Sequence, residues 1–197
     1  MRRRRGKTAT PPQVLVITGP SGAGKGTLIR KLLPRVPELE LAVSATTRLR
    51  RAGEEEGRDY YYLSEGDFAR RVANGEFLEH ITYVSGQRYG TLRQEVERIG
   101  RGGRITVLEL ETEGALKVAE ELPGVVTVFV TAPRAELERR LRERATESAG
   151  EIGERLDLAE SQLLQSSLFD HMVENDDIER AVDELEAIAR AVRDGDR

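Results

Sequence analysis

Three short apolar runs set the frame of this chain. Gln13–Thr18 (QVLVIT), Arg104–Leu110 (RITVLEL) and Gly124–Val130 (GVVTVFV) are rich in β-branched residues and show almost no polar alternation. Such runs predict strands buried on both faces, as in a parallel sheet. Each is followed by a segment with helical apolar spacing. Lys25–Leu33 (KGTLIRKLL) stops at Pro34, Glu113–Leu122 follows the second run, and Pro133–Arg144 follows the third with proline at the helix start. Asp177–Val192 is an amphipathic helix. Strands alternating with helices predict an α/β fold, a parallel sheet covered by helices on both faces.

Residues 41–91 break this rhythm. LAVSA, YYYL and FLEHITYV are short β-like pieces, with one helix near Glu65–Ala73. They predict an inserted mixed α/β subdomain with its own small sheet. A second break at Ala145–Gly150 separates two helices. Ser148–Glu151 (SAGE) and Thr91–Gln94 (TLRQ) both have the spacing of a capping box. The expected division is a basic tail at 1–12, a core of 13–40, 92–137 and 157–197, the insert at 41–91, and a helical lid at 138–156. There are no internal repeats.

Composition narrows the chemistry. The 197 residues suit one domain with small insertions. There is no cysteine, which excludes disulfides, thiolate metal sites and a cysteine nucleophile, and suits a reducing, cytoplasmic setting. The two histidines, His80 and His171, are too few for a histidine-rich metal centre. No apolar run approaches the ~20 residues of a membrane span. The start, MRRRRGKTATPPQ, is basic but lacks the apolar stretch of a secretory signal. Five of the 31 Lys and Arg residues lie in residues 1–7, so the remainder carries 26 positive against 35 negative charges. A body that acidic argues against specific nucleic-acid binding. Anionic ligands would have to be met by local clusters of basic groups.

One such cluster is explicit. VITGPSGAGKGTL places a glycine-rich turn between a buried strand and a helix. Its backbone N–H groups can point inward at a phosphate, and the helix N-terminus adds partial positive charge. The match to G-x-x-x-x-G-K-[ST] runs over Gly19, Pro20, Ser21, Gly22, Ala23, Gly24 and Lys25, then departs. Gly26 stands where a hydroxyl would ligate Mg²⁺, and Thr27 comes one later. Lys25 would reach the β- and γ-phosphates of ATP, and Mg²⁺ would be held mainly by phosphates and water.

The second cluster is Ser44–Leu63, SATTRLRRAGEEEGRDYYYL, with four arginines, four acids and three successive tyrosines. Together with EFLEH, RYGT and the phosphate loop, this stretch closely resembles the guanylate kinase family, whose pattern is roughly S-x-T-T-R-x-P-R-x-G-E-x-x-G-x-D-Y, then F-[IL]-E and Y-G-[ST]. The resemblance spans nearly everything from Gln13 to the last helix. It implies transfer of the γ-phosphoryl group of ATP to GMP or dGMP, with Mg²⁺. Under it, Arg48 and Arg51 fork onto the GMP phosphate, with Tyr60 and Tyr89 adding hydroxyls. Glu79, Ser44, Thr91 and Glu111 lie around the guanine. Arg140 and Asn175 belong to the ATP side. Lys25, Arg48, Arg144 and Arg155 stabilise the transferring group, and Glu109 touches the metal through water.

The chain also departs from the family. LELETEG replaces L-D-I-D-x-Q-G, so Glu109 and Glu111 each reach one methylene further than aspartate. Arg50 replaces proline, Ala145 replaces glycine, and one extra residue separates Glu79 from Tyr89. Glu54, Glu55, Glu56, Arg58, Tyr61 and Tyr62 are read as solvated or structural, and Arg139 and Arg142 as parts of a salt-bridged helix. Other readings stay open: a ribose-bisphosphate or pyrimidine monophosphate kinase with the same loop, or a non-catalytic guanylate-kinase-like binding module. Partners beyond ATP and GMP are not expected, and a monomer or a homodimer would serve.

Overall fold

A computed structural model describes residues 13–83, 85–143 and 149–195. Among these, five strands form one parallel sheet: β1 (Val14–Thr18), β2 (Leu39–Leu41), β7 (Ile105–Glu109), β8 (Val126–Thr131) and β9 (His171–Glu174), in the order β2-β7-β1-β8-β9. Strand β1 is central, pairing Leu15 with Val107 on one side and with Val126 on the other. All five of its residues are buried.

Burial on both faces follows from the pleat. Leu15 and Ile17 face a core shared with Leu28, Ile29 and Leu32 of α1 (Lys25–Leu32) and with Val182 and Leu185 of α7 (Ile178–Asp194). Val14 and Val16 face a second core, with Val96 and Ile99 of α3 (Arg93–Arg101) and Ala115 and Val118 of α4 (Thr112–Glu121). The helices α5 (Arg134–Glu143) and α6 (Ala149–Leu163) send Leu137, Leu141, Leu156 and Ala159 to the first core. The three expected central strands and their helices are therefore present, shifted at their ends by one or two residues.

The expected small sheet also forms. Its strands are β3 (Ala45–Thr46), β4 (Tyr61–Tyr62), β5 (Phe77–Thr82) and β6 (Arg88–Leu92), in the order β4-β3-β6-β5. It is mixed: β3 and β4 run parallel, while β6 is antiparallel to β3 and β5. Ala45, Phe77, Leu92 and Phe68 of α2 (Glu65–Ala73) make a separate small core. Phe68 and Phe77 stack with ring centroids 4.4 Å apart.

Two expectations change. The edge strands β2 and β9 carry too little apolar pattern to be seen in the sequence. The capping box at Thr91–Gln94 does not form: Leu92 is the N-cap of α3, and no side chain bonds there. Thr91 remains in β6, and its hydroxyl is drawn instead to Glu79, 2.8 Å away. Real caps occur at Ser64, which accepts from the Asp67 N–H, and at Asp177, which accepts from the Arg180 N–H. Ser148, Ala145 and Arg144 lie outside the described residues.

Because the small sheet depends on so few apolar side chains, Phe68→Ala is expected to destabilise it by about 3–5 kcal/mol. Chemical denaturation followed by circular dichroism checks this. A loss below about 1 kcal/mol would mean that the small core does not carry the insert.

Candidate nucleotide site

The phosphate loop leaves β1 at Thr18 and enters α1 at Lys25. Gly19 has φ 132°, and a Cβ there would collide with the Val130 carbonyl of β8. Gly24, with φ 91°, is the N-cap of α1. Glycine is required at both, once for close approach and once for the left-handed turn. The Lys25 ammonium lies inside the loop, donating to the Gly19 carbonyl at 2.6 Å and that of Pro20 at 3.3 Å. Ser21 is exposed, while Pro20, Gly22 and Ala23 are buried.

Two expected ATP-side residues buttress this loop. Asn175 is buried just after β9, and its Nδ2 donates to the Ala23 carbonyl at 2.7 Å. Arg140 on α5 donates to the Gly22 and Ala23 carbonyls and to that of Asn175, while Glu136 fixes its Nε at 2.7 Å. Asn175 Oδ1 is buried with no hydrogen-bond partner among the described residues. Arg139 pairs with Glu136 and Glu143, and Arg142 with Glu138, as the salt-bridged reading requires.

Beside the start of α1, Glu109 ends β7 next to Gly26. A Cβ on Gly26 would stand 3.4 Å from Glu109 Oε2. The longer glutamate thus occupies the neighbourhood that a hydroxyl side chain would share. Thr27 accepts a 3.1 Å hydrogen bond from Arg30. Among the described residues no group of three or more His, Asp or Glu side chains could cage a metal ion.

The arginine cluster holds a change of reading. Arg48 is 9% exposed, and its two terminal nitrogens donate to both oxygens of Glu54, at 2.8 and 3.0 Å. Glu54 also accepts from the Arg51 N–H at 2.7 Å and the Tyr62 hydroxyl at 2.8 Å. Glu54, read as solvated or structural, is therefore structural: it orients Arg48, and Tyr62 supports it. The Arg48 guanidinium lies 5.3 Å from the Tyr60 ring centroid and 5.9 Å from that of Tyr62. Tyr60 meets Tyr89 edge-on at 5.9 Å, and Tyr89 meets Tyr83 at 5.2 Å. Arg51 itself is exposed.

Electrostatics agree with this geometry. The Arg48 fork, then the Arg51 N–H, depress the Glu54 carboxyl to about 2. Glu54 in turn raises Arg48 well above the ordinary arginine value. Burial raises the Tyr60 phenol, and the Tyr89, Glu54 and Glu109 groups add to this.

Glu79 on β5 is 7% exposed, and burial raises its pKa. Its Oε1 accepts from the Thr91 N–H at 2.9 Å and the Thr91 hydroxyl at 2.8 Å. Its Oε2 faces Gly114 in the first turn of α4, where an added Cβ would come to 3.0 Å. Glu111, the residue before that helix, accepts from the Tyr83 hydroxyl at 3.0 Å. Two carboxylates thus flank one helix start, Glu79 with one oxygen committed and one against Gly114. Ser44 is half-buried, and its carbonyl accepts from the Tyr61 N–H. The Arg155 side chain and all of Arg144 lie outside the described residues.

Sequence reading missed Glu54, Gly114 and Tyr83. Glu54 stood inside the matched R-x-G-E pattern, so a signal existed. Gly114 stood at the glycine that ends LELETEG, where only the structure shows what it faces. Tyr83 carried no signal.

A carboxylate with its folded pKa depressed contributes stability present above its unfolded value and lost as pH falls through the folded value. The Arg48–Glu54 pair should therefore persist through pH 4 and titrate near 2. Carboxyl-carbon NMR of Glu54 checks this, and a midpoint above about 4 would mean that the pair does not hold in solution.

Comparison with known proteins agrees with the fold. The guanylate kinase family model matches residues 11–192. The chain is 46% identical over 186 residues to the guanylate kinase of Rubrobacter xylanophilus, covering 93% of this chain and 97% of that one. It is 44% identical to the guanylate kinase of Synechococcus elongatus over 176 residues, 89% and 96% of the two chains. The crystal structure of guanylate kinase from Anaplasma phagocytophilum superposes with a TM-score of 0.72 at 33% identity, covering 93% of this chain and 87% of the other. Matched by the family model over residues 11–192 and by relatives above 40% identity across most of its length, the chain belongs to the guanylate kinase family.

Proposed function

We propose that this chain transfers the γ-phosphoryl group of ATP to GMP, and also to dGMP, giving ADP and the guanosine diphosphate. The observation that carries this reading is the buried Glu79. Its Oε1 is held by Thr91 while Oε2 is turned toward the start of α4. Guanine offers two donors on one edge, N1–H and the 2-amino group, and a fixed carboxylate accepts them. Adenine has no donor at N1, so it would leave Glu79 Oε2 desolvated and unmatched, which makes discrimination large. Glu111, Ser44 and Thr91 complete the base site in this reading.

The GMP phosphate would bind at Arg48, with Tyr60, Tyr89 and Arg51. One edge of Arg48 is committed to Glu54 and a further Nη1 N–H to the Leu49 carbonyl, so the phosphate takes the N–H groups that these leave, beside the two phenols. An oxygen of that phosphate attacks the γ-phosphorus in line. The bond from the γ-phosphorus to the β,γ-bridging oxygen breaks, and ADP leaves with the electron pair. The nucleophile is already an anion, so no strong base is needed. Lys25 moves from the loop carbonyls to the β- and γ-phosphates. Gly19 to Thr27 cradle ATP, with Arg140 and Asn175 holding the loop and the adenine side. Arg144 and Arg155, on the proposed lid at 138–156, neutralise the transferring group. Closure of that lid and of the insert at 41–91 excludes water and so limits ATP hydrolysis.

The residues at the loop fit a metal carried by the nucleotide rather than caged by protein. Gly26 has no hydroxyl, and Glu109 stands beside it as the carboxylate able to hold Mg²⁺ through water. When bound with ATP, Mg²⁺ would supply charge neutralisation at the β- and γ-phosphates. Among the described residues no helix is long and apolar enough to cross a membrane.

A coupled assay over GMP, dGMP, AMP, UMP and dTMP tests this reading. GMP and dGMP should exceed the others in kcat/KM by about 10³-fold or more. Equal rates across the panel would overturn the base-site assignment. Lys25→Met should lower kcat by orders of magnitude at unchanged melting temperature, since the loop backbone is fixed by Gly19 and Asn175 rather than by the ammonium alone. Near-normal turnover would remove Lys25 from the mechanism.

A further inference from the structure

Glu111 stands one methylene further out than the aspartate of the family pattern, and the β5–β6 hairpin carries one extra residue. The structure brings these two departures together. Tyr83 closes the end of the hairpin: its N–H donates to the Gln87 carbonyl at 2.9 Å, and its carbonyl accepts from the Gly86 N–H at 2.8 Å. Its ring packs edge-on against Tyr89, and its hydroxyl donates to Glu111 Oε1 at 3.0 Å. Glu111 occupies the N-cap position of α4, yet its carboxylate caps nothing there. It reaches outward to the hairpin instead.

We propose that Tyr83 is a positioning residue for guanine recognition, its hydroxyl fixing the Glu111 carboxylate beside Glu79 so that two acceptors face the donor edge of the base. This rests on the guanylate kinase reading above and extends it to a residue outside the matched motifs. A glutamate has one more rotatable bond than an aspartate, so its carboxylate is harder to fix. Burial, then the Glu111 carboxylate, push the Tyr83 phenol above the ordinary tyrosine range, so it remains a donor across the working pH. The same contact ties the insert to the core, because Tyr83 belongs to the small sheet's hairpin and Glu111 to the turn after β7.

Kinetics of Tyr83→Phe, Glu111→Gln and the double variant test this in the full chain. Tyr83→Phe keeps the ring on Tyr89 and removes only the donor. It should raise KM for GMP about five- to tenfold with kcat within about twofold, because the contact acts on the base and not on the reacting phosphate. Preference for GMP over IMP, which lacks the 2-amino group, should fall in step. The double variant should be no worse than Glu111→Gln alone, since both remove one arrangement. Calorimetric titration of GMP should repeat the KM effect as a weaker Kd, with the melting temperature unchanged. The proposal is overturned if Tyr83→Phe matches wild type while Glu111→Gln does not, or if the two effects multiply. It is equally overturned if Tyr83→Phe instead lowers the melting temperature and kcat together. If the wild-type chain does not phosphorylate GMP, the functional reading fails and takes this proposal with it; if it does, the three variants judge Tyr83 alone.

Discussion

An acidic protein that must hold two polyanions faces one constraint above the others: every cation at the site has to be aimed. Outside its first seven residues this chain carries more acids than bases. Long-range attraction therefore does little, and local geometry must do the rest. The Arg48–Glu54 clasp shows the solution. A bidentate carboxylate and the Leu49 carbonyl, which accepts from Arg48 Nη1 at 2.8 Å, hold the guanidinium against Tyr60 and Tyr62. The phosphate loop obeys the same rule with backbone groups. Gly19 lies too close to β8 for any side chain, and Asn175 and Arg140 hold the Ala23 carbonyl from outside.

The same logic governs the acids. Glu79, Glu109 and Glu111 would be a cost in a phosphate-binding cleft if they met the phosphates. They are separated by placement. Glu79 is buried on β5 and bonded to Thr91, Glu111 is turned to the hairpin, and Glu109 sits against Gly26. In the proposed arrangement, two of them read a base with hydrogen-bond donors and the third serves the metal.

Much of this could be read from the chain, and the limits have physical causes. The central strands were legible because β1, β7 and β8 are buried on both faces and so lack polar alternation. The edge strands β2 and β9 were not, because Leu39–Leu41 and His171–Glu174 are short and half solvated. Thr91 misled because a hydroxyl three residues before a glutamine has the spacing of a cap; a buried carboxylate from another strand competed for it and won. Lys25 and the loop glycines were legible as a motif. Glu54 was left undivided between solvated and structural because a glutamate in an EEE run is ordinarily solvated, and its partner becomes evident only when the loop folds back six residues. Tyr83 was beyond reach, since its contact with Glu111 joins two segments 28 residues apart.

In the proposed arrangement, Glu79 at the start of α4 reads the base, and the phosphate takes the edge of Arg48 that Glu54 leaves open. A diffraction structure of the GMP complex measures both at once. Glu79 Oε2 should lie about 3 Å from guanine N1 or N2, with the Arg48–Glu54 pair intact and the phosphate beside Tyr60 and Tyr89. A phosphate that displaces Glu54 from Arg48, or a base bound away from Glu79, would contradict it.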